Sequence, residues 1–180
     1  MDDAATDCSG VAGGKPVSEM IPLLEAGARV AAALVARRAT LAVAEASTGG
    51  LISAALLAVP GASAFYLGGS VIYTPRARHR LLGLRREDVR GLKSASEPYA
   101  ALVAETVRRQ FSATWGLSES GATGPNGNPY GDPAGHSCFA VAGSTARAAT
   151  LETGNGDRWG NMMAFSVAAL SLLLAAVEEG

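Results

Sequence analysis

The sequence predicts an α/β fold, namely a three-layer α/β/α sandwich with a mixed sheet in a single domain. Strand-like apolar runs alternate with longer segments of helical periodicity through the first part of the chain, a pattern typical of strands joined by crossover helices. Two strand-like segments then follow each other directly, which adds an antiparallel hairpin to the sheet. The chain has 180 residues, of which 48% are hydrophobic. It is therefore long enough to bury one core.

The N-terminal third of the chain predicts a tail, a helix, a strand and a second helix. Residues 1–16 are small, polar and glycine-rich, which predicts a disordered tail and places the domain at 17–180. Apolar side chains recur at helical spacing over 18–38 and predict the first helix. The apolar run 40–44 predicts a buried strand, and 51–57 predicts the helix that follows it.

The rest of the chain predicts four strands, the last two of which form a hairpin, and three helices. Gly68 and Gly69 interrupt one of these strands and indicate a bulge or a close approach by another segment. In chain order the predicted elements are a strand at 64–73, a short basic helix at 76–82, a helix at 96–111, a strand beginning at 117, hairpin strands at 137–143 and 147–153, and a closing helix at 157–177.

The most informative segment is the strand-to-helix turn at 44–50, Ala-Glu-Ala-Ser-Thr-Gly-Gly. Backbone N–H groups at such a turn can bind an anion or an oxyanion, and glycine allows a ligand to approach the backbone closely. Ser47 and Thr48 are the candidate nucleophiles there. An N-cap role for either hydroxyl explains the same residues equally well.

Two further segments bear on function. The long loop 120–135 is rich in glycine and asparagine, so it offers hydrogen bonds to a polar ligand, although an irregular crossover would have the same composition. The segment 73–80 places three arginines after a strand, near a potential phosphate site, although such a face is usually only solvated. We expect 44–50, 73–78 and 121–136 to line one cleft, because strand ends and helix starts gather on one side of such a sheet.

Composition argues against several classes of protein. The net charge is −1 without a basic block, which argues against nucleic acid as a partner. The first residues are acidic and lack an apolar core, so no signal peptide is expected, and the apolar stretch 167–177 is too short to predict a membrane span. The two cysteines and two histidines show no metal-ligand spacing, so neither a metal nor a cofactor is expected. We expect a cytoplasmic protein, and the high apolar content makes a homo-oligomer plausible.

Taken in order, these motifs resemble the CinA C-terminal domain family, whose characterised members are nicotinamide-nucleotide amidases. The resemblance runs from about residue 18 to the C-terminus and rests on the motifs at 44–50, 59–63, 68–73, 81–83, 96–97, 121–125 and 156–158. It implies a three-layer α/β/α fold, hydrolysis of the amide of a nucleotide such as nicotinamide mononucleotide (NMN), and no metal.

The chain departs from the family pattern at the residues that matter most for chemistry. Ala46 stands where the family has a serine thought to be the nucleophile, and Arg78 stands where it has a lysine that is a candidate base. Arginine has a pKa above about 12 and cannot accept a proton at neutral pH. A basic residue expected near Met162 is also absent, and the loop ends Asp-Pro-Ala-Gly-His rather than Lys-Pro-Val-Gly.

Three interpretations follow. The chain is a divergent amidohydrolase with Ser47 or Thr48 as nucleophile; it is a nucleotide-binding or regulatory module without amidase activity; or, with less support, it is an oligomerisation or scaffold domain. The joint loss of nucleophile and base favours the second, so weak or absent NMN amidase activity is expected. The candidate bases are Glu45, Tyr73, Glu97, Asp132 and His136. The candidate ligand-binding residues are Glu45, Ala46, Gly49, Gly50, Tyr73, Arg78, Ser96, Gly124, Asn126 and His136.

Overall fold

The computed structural model describes residues 17–180, so the tail predicted at 1–16 lies outside the described residues. Each helix and strand predicted within 17–180 is present, with its ends shifted by a few residues. In chain order the elements are a 3-10 turn at Val17–Met20, α1 Ile21–Ala36, β1 Leu41–Glu45, α2 Leu51–Leu57, a 3-10 turn at Ala62–Ala64, β2 Tyr66–Val71, α3 Pro75–Leu82, α4 Glu97–Gln110, β3 Trp115–Ala122, β4 His136–Ala142, β5 Arg147–Glu152 and α5 Arg158–Glu179.

The strands form one five-stranded mixed sheet in the order β2-β1-β3-β4-β5. Strand β1 runs parallel to β2 and to β3, whereas β4 is antiparallel to both β3 and β5. The β4–β5 hairpin pairs Val141 with Arg147 near its turn and His136 with Glu152 at its far end. The α/β class, the mixed sheet and the single domain predicted from the sequence are therefore confirmed.

Helices cover both faces of the sheet and make the three layers. Helices α1, α2 and α5 pack together on one face, while α4, with α3 beside it, covers the other. Helix α5 is longer than the apolar stretch noted in the sequence, and its length and hydropathy would suffice to cross a membrane. However, more than half of its most apolar window is buried inside the protein, and Phe165, Leu170 and Leu173 are fully buried. Within this fold, α5 is a core helix.

On the opposite face α4 packs unusually close to the sheet. A Cβ atom on Gly116 of β3 would lie 2.1 Å from the carbonyl oxygen of Ala104, so only glycine fits there. Ser118 Oγ donates to the carbonyl oxygen of Ala100 at 2.6 Å, and Ala100 and Ala104 are both fully buried. This contact fixes α4, and with it the neighbouring Tyr99, against β3.

The predicted irregularity of β2 is present as a bulge. Leu41 pairs with Tyr66 and Ala42 pairs with Gly68, which leaves Leu67 as the extra residue of β2. Gly68 has φ +146°, and a Cβ atom there would lie 2.8 Å from the ring of Phe111. The positive φ angle favours glycine at this position, and the ring of Phe111 packs closely against it.

Candidate functional site

A cleft of about 350 Å³ lies where β1 and β3 end and α3 begins. The three segments expected to line one cleft all contribute to it. The lining residues are Ala46, Ser47, Ile72, Tyr73, Thr74, Pro75, Arg78, Ser94, Ala95, Tyr99, Ser120, Gly121, Ala122, Thr123, Gly124, Asn126, Gly127, Asn128, Pro129, Tyr130 and Arg158.

The carboxylate of Glu119, on β3, holds the turn that forms one wall of the cleft. Its Oε2 accepts the backbone N–H of Ala46 at 3.1 Å and that of Thr48 at 3.0 Å. Its Oε1 accepts the hydroxyl of Ser47 and, at 3.0 Å, that of Ser137 on β4. Only 1% of Glu119 is exposed, so the side chain lies entirely behind the turn.

A second buried carboxylate, that of Glu45, caps α2. Its Oε2 accepts the backbone N–H groups of Gly50 and Ile52, each at 3.0 Å, and its Oε1 accepts the backbone N–H and the hydroxyl of Ser53 at 2.8 and 2.6 Å. The N-cap residue of α2 is Gly50, which makes no side-chain capping bond. The alternative that Ser47 or Thr48 is the N-cap is therefore wrong, because Glu45 already occupies the helix N–H groups.

The hydroxyl of Thr48 lies between these two carboxyl groups, 2.8 Å from Glu45 Oε2 and 3.0 Å from Glu119 Oε2. A hydroxyl has one proton to donate, so both contacts are hydrogen bonds only when one of the carboxyl groups is protonated. Burial raises the pKa of Glu119, although hydrogen bonds from Ser47, Thr48 and Ala46 oppose this shift. Thr48 is fully buried and does not line the cleft. Of the two predicted nucleophiles, only Ser47 reaches the cleft.

Arg78, at the start of α3, presents a buried guanidinium to the cleft. The residue is 6% exposed, and its Nε donates to the carbonyl oxygen of Leu84 at 3.4 Å. Within residues 17–180, no carboxylate lies within ion-pair distance of Arg78. On another wall, Arg158 at the start of α5 donates from Nη1 to the carbonyl oxygen of Gly124 at 2.8 Å. Two cationic side chains therefore line the same cleft.

The loop 123–135 forms the wall opposite the turn, and Gly124 and Asn126 both line the cleft as expected. The side chain of Asn128 organises the loop, since its Nδ2 donates to Asp132 at 2.8 Å and its Oδ1 accepts the backbone N–H of Tyr130 at 3.0 Å. The hydroxyl of Tyr130 lies 3.2 Å from that of Ser94, on the segment before α4. The loop leaves the cleft open rather than collapsing into it.

His136 does not line the cleft, although it was expected to reach the site. Its Nδ1 lies 2.5 Å from Glu152 Oε1, its cross-strand partner, and its Nε2 lies 3.0 Å from the carbonyl oxygen of Ala95. Burial opposes a charge on this ring. The pKa of His136 is nevertheless raised, because its hydrogen bonds and two nearby carboxylates outweigh burial. The hydrogen bonds are to Glu152 and Ala95, and the carboxylates are those of Glu152 and Asp132. The ring links β4 to the segment before α4.

Other expected ligand-binding residues also serve the framework rather than the cleft surface. Ser96 donates from Oγ to the carbonyl oxygen of Lys93 at 2.7 Å. Gly49 and Gly50 adopt positive φ angles of +66° and +104° and shape the turn. Glu45 lies beneath that turn. The expected residues that do line the cleft are Ala46, Ser47, Tyr73, Arg78, Gly124 and Asn126.

None of the acids and bases considered from the sequence contacts Ser47. Glu97 Oε1 accepts the hydroxyl of Thr150 at 2.7 Å, and Asp132 is bonded to the loop. The group that does contact Ser47 is Glu119, to which no sequence motif pointed. The sequence feature that could have pointed to Glu119 is its position between two serines, in a strand that leads into the glycine-rich loop. Within residues 17–180, no group of three or more His, Cys, Asp or Glu side chains is placed to hold a metal ion.

Comparison with known proteins agrees with this architecture. The family model of the CinA C-terminal domain matches residues 24–177. A CinA-like protein of Desulforapulum autotrophicum is 38% identical over 144 residues, which are 78% of this chain and 33% of that protein. One of Anaeromyxobacter sp. is 40% identical over 129 residues, which are 72% of this chain and 32% of that protein. The chain thus spans about a third of the curated relatives it matches.

Solved structures of similar length share the fold. A competence-damaged protein (CinA) superfamily protein from Klebsiella pneumoniae superposes with a TM-score of 0.82 at 28% identity, covering 88% of this chain and 99% of that one. A competence or damage-inducible protein from Enterobacter asburiae gives a TM-score of 0.79 at 30% identity, covering 86% and 98%. The family model covers most of the described residues, and the curated relatives exceed 30% identity. This chain belongs to the CinA C-terminal domain family.

Proposed function

We propose that the cleft binds a nicotinamide nucleotide such as NMN, with the phosphate group at Arg78. The observation that supports this is Arg78 itself, a residue of the cleft lining that is 6% exposed and has no carboxylate partner within residues 17–180. Burial of an unpaired charge is costly, and an anionic ligand offsets that cost through charge-assisted hydrogen bonds. Arg158 adds a second cation to the cleft lining.

The size and lining of the cleft suit a ligand of this class. Its volume of about 350 Å³ falls within the range usual for small-molecule sites. Backbone groups of Gly121 and Gly124 and the amide of Asn126 offer polar contacts, while Tyr73 and Tyr99 offer aromatic surface. An open cleft of this composition favours a ligand-binding domain over a pure scaffold.

Hydrolysis of the carboxamide is a second candidate function, favoured by one specific observation. Ser47 lines the cleft and its hydroxyl is hydrogen-bonded to the buried carboxylate of Glu119. The chain therefore has a hydroxyl next to a proton acceptor, even though Ala46 and Arg78 replace the residues expected from the family. If no hydrolysis occurs, the cleft is that of a nucleotide-binding or regulatory module.

The experiment measures binding and turnover separately on the full chain. NMN binding is followed by calorimetry and ammonia release by a coupled assay, with nicotinamide riboside, which lacks the phosphate, as the comparison ligand. We expect NMN to bind more tightly than the riboside. Equal binding of both would contradict the phosphate site, whereas binding without ammonia would contradict hydrolysis alone. The cytoplasmic location and self-association remain predictions.

A further inference from the structure

We propose that Glu119 is the general base that accepts the hydroxyl proton of Ser47 during carboxamide hydrolysis. The inference rests on the hydrolytic function proposed above. It concerns a residue to which no sequence motif pointed, and it gives this chain a nucleophile–base pair located differently from the one expected of its family.

The first argument is the position of the two groups. The hydroxyl of Ser47 donates to Glu119 Oε1, and Ser47 lines the cleft while Glu119 lies behind it. A nucleophile is activated when a base lies within hydrogen-bond reach of its proton. Ser47 thus connects the cleft lining to the buried acceptor.

The second argument is that the carboxylate is held in one orientation. Oε2 is fixed by the backbone N–H groups of Ala46 and Thr48 and by the hydroxyl of Thr48, at 3.0 to 3.1 Å. This leaves Oε1 directed at Ser47 and at Ser137, the latter at 3.0 Å. A base oriented by further groups is the usual arrangement in nucleophilic catalysis.

The third argument concerns proton affinity. Glu119 is 1% exposed and forms no ion pair with a cation in the described part of the chain, and burial raises its pKa above that of an ordinary glutamate. A carboxylate of raised pKa accepts a proton more readily near neutral pH. An arginine cannot take this part, because a guanidinium is a poor proton acceptor.

The reaction balances without a co-reactant other than water. Ser47 Oγ attacks the carboxamide carbon and forms a C–O bond, while its proton passes to Glu119 Oε1. The C–N bond then breaks and ammonia leaves with that proton. Water next attacks the ester on Ser47 and gives one proton to Glu119, which returns it to Ser47 Oγ as the carboxylic acid leaves. The sum is amide plus water giving carboxylic acid and ammonia.

The test compares NMN hydrolysis by the wild type with that of four variants, Ser47→Ala, Glu119→Gln, Ser137→Ala and Ser118→Ala. Loss of a general base typically costs about 100- to 10,000-fold in rate. We expect such a fall in kcat for Ser47→Ala and for Glu119→Gln, with the affinity for NMN retained. Ser118→Ala is the matched control, because this buried serine precedes Glu119 but bonds to α4 instead of the cleft.

Ser137→Ala tests the role of Glu119 through the kcat–pH profile, which would not shift if Glu119 were purely structural. It removes one donor from Glu119 Oε1, which destabilises the ionised form. The acid limb of the kcat–pH profile should therefore move to higher pH, since activity requires ionised Glu119 and is lost as pH falls through its pKa. In Ser118→Ala the limb should stay in place.

Each outcome bears on a different part of the proposal. Wild-type rates in a folded Glu119→Gln that binds NMN would overturn the role of Glu119, while loss of activity in Ser47→Ala would leave hydrolysis standing. If Glu119→Gln does not fold, an unmoved acid limb in Ser137→Ala overturns the role of Glu119. Absence of ammonia from the wild type, with NMN still bound, would overturn hydrolysis and its base together and leave only nucleotide binding.

Discussion

Replacement of Arg78 by methionine should weaken NMN binding without weakening the fold. Methionine keeps much of the apolar stem but removes the charge that we assign to the phosphate. A hydrogen bond to a charged group contributes about 1.5–3 kcal/mol, which corresponds to roughly a 10- to 150-fold increase in Kd. Arg78 is 6% exposed and has no carboxylate within ion-pair distance in residues 17–180. Removal of a costly unpaired charge should offset the loss of the hydrogen bond from Arg78 Nε to the carbonyl oxygen of Leu84.

The matched control is Arg80→Met, which removes the same charge from an exposed position of α3. Calorimetry gives Kd for NMN in both variants, and thermal melting without ligand gives their stability. We expect the loss of affinity only in Arg78→Met, together with a Tm close to that of the wild type. An unaltered Kd in Arg78→Met, or an equal loss in Arg80→Met, would refute the reasoning, because the effect would then not depend on the buried guanidinium.

Three further predictions concern other parts of the chain. The double variant Ala46→Ser with Arg78→Lys should release ammonia from NMN faster than either single variant, since a serine and its lysine base act as a unit. Such a gain would place the carboxamide rather than the phosphate beside residue 78, and an inert double variant that binds NMN would contradict this prediction. His136→Gln should lower the urea midpoint of unfolding more at about pH 5.5 than at pH 9. The raised folded-state pKa of His136 stabilises the fold below the unfolded pKa of about 6.5, and this stability is lost as pH rises through the folded-state pKa. An equal loss at both pH values would argue against a charged ring. Asn161→Leu should lower the free energy of unfolding, measured in urea, by about 3 kcal/mol, because it leaves the buried carbonyl of Thr123 without a donor. A loss below about 1 kcal/mol would count against this prediction.

Local signals were sufficient to predict the strand-to-helix turn and the bulge. An apolar run followed by two glycines marks the end of β1 in the sequence itself, and Gly68 marks the irregular strand. The hairpin register was also accessible: counting outward from the turn at 143–145 pairs His136 with Glu152. That pairing would have directed the imidazole to a carboxylate instead of the cleft.

The contact between Glu119 and Ser47 could not be predicted in this way. The two residues are 72 positions apart and meet only because β1 and β3 are parallel neighbours in the sheet. Whether a carboxylate in a strand faces water or a turn depends on what the adjacent strand presents at its end. The role of Ser137 depends in turn on the antiparallel addition of β4.

The two carboxylates beneath the turn at 45–50 have a consequence for how the cleft responds to a ligand. A glycine-containing turn is ordinarily compliant, but the amides of Ala46, Thr48 and Gly50 are each bonded to a buried carboxylate. Their hydrogen exchange should be as slow as that of core strands. In the mostly exposed loop at 125–131, the bonded amides of Asn128, Tyr130 and Gly131 have partners only at residues 128 and 132 of the loop itself. The turn at 45–50 is thus a preorganised wall of the cleft, and the conformational entropy lost on ligand binding comes mainly from the loop at 125–131.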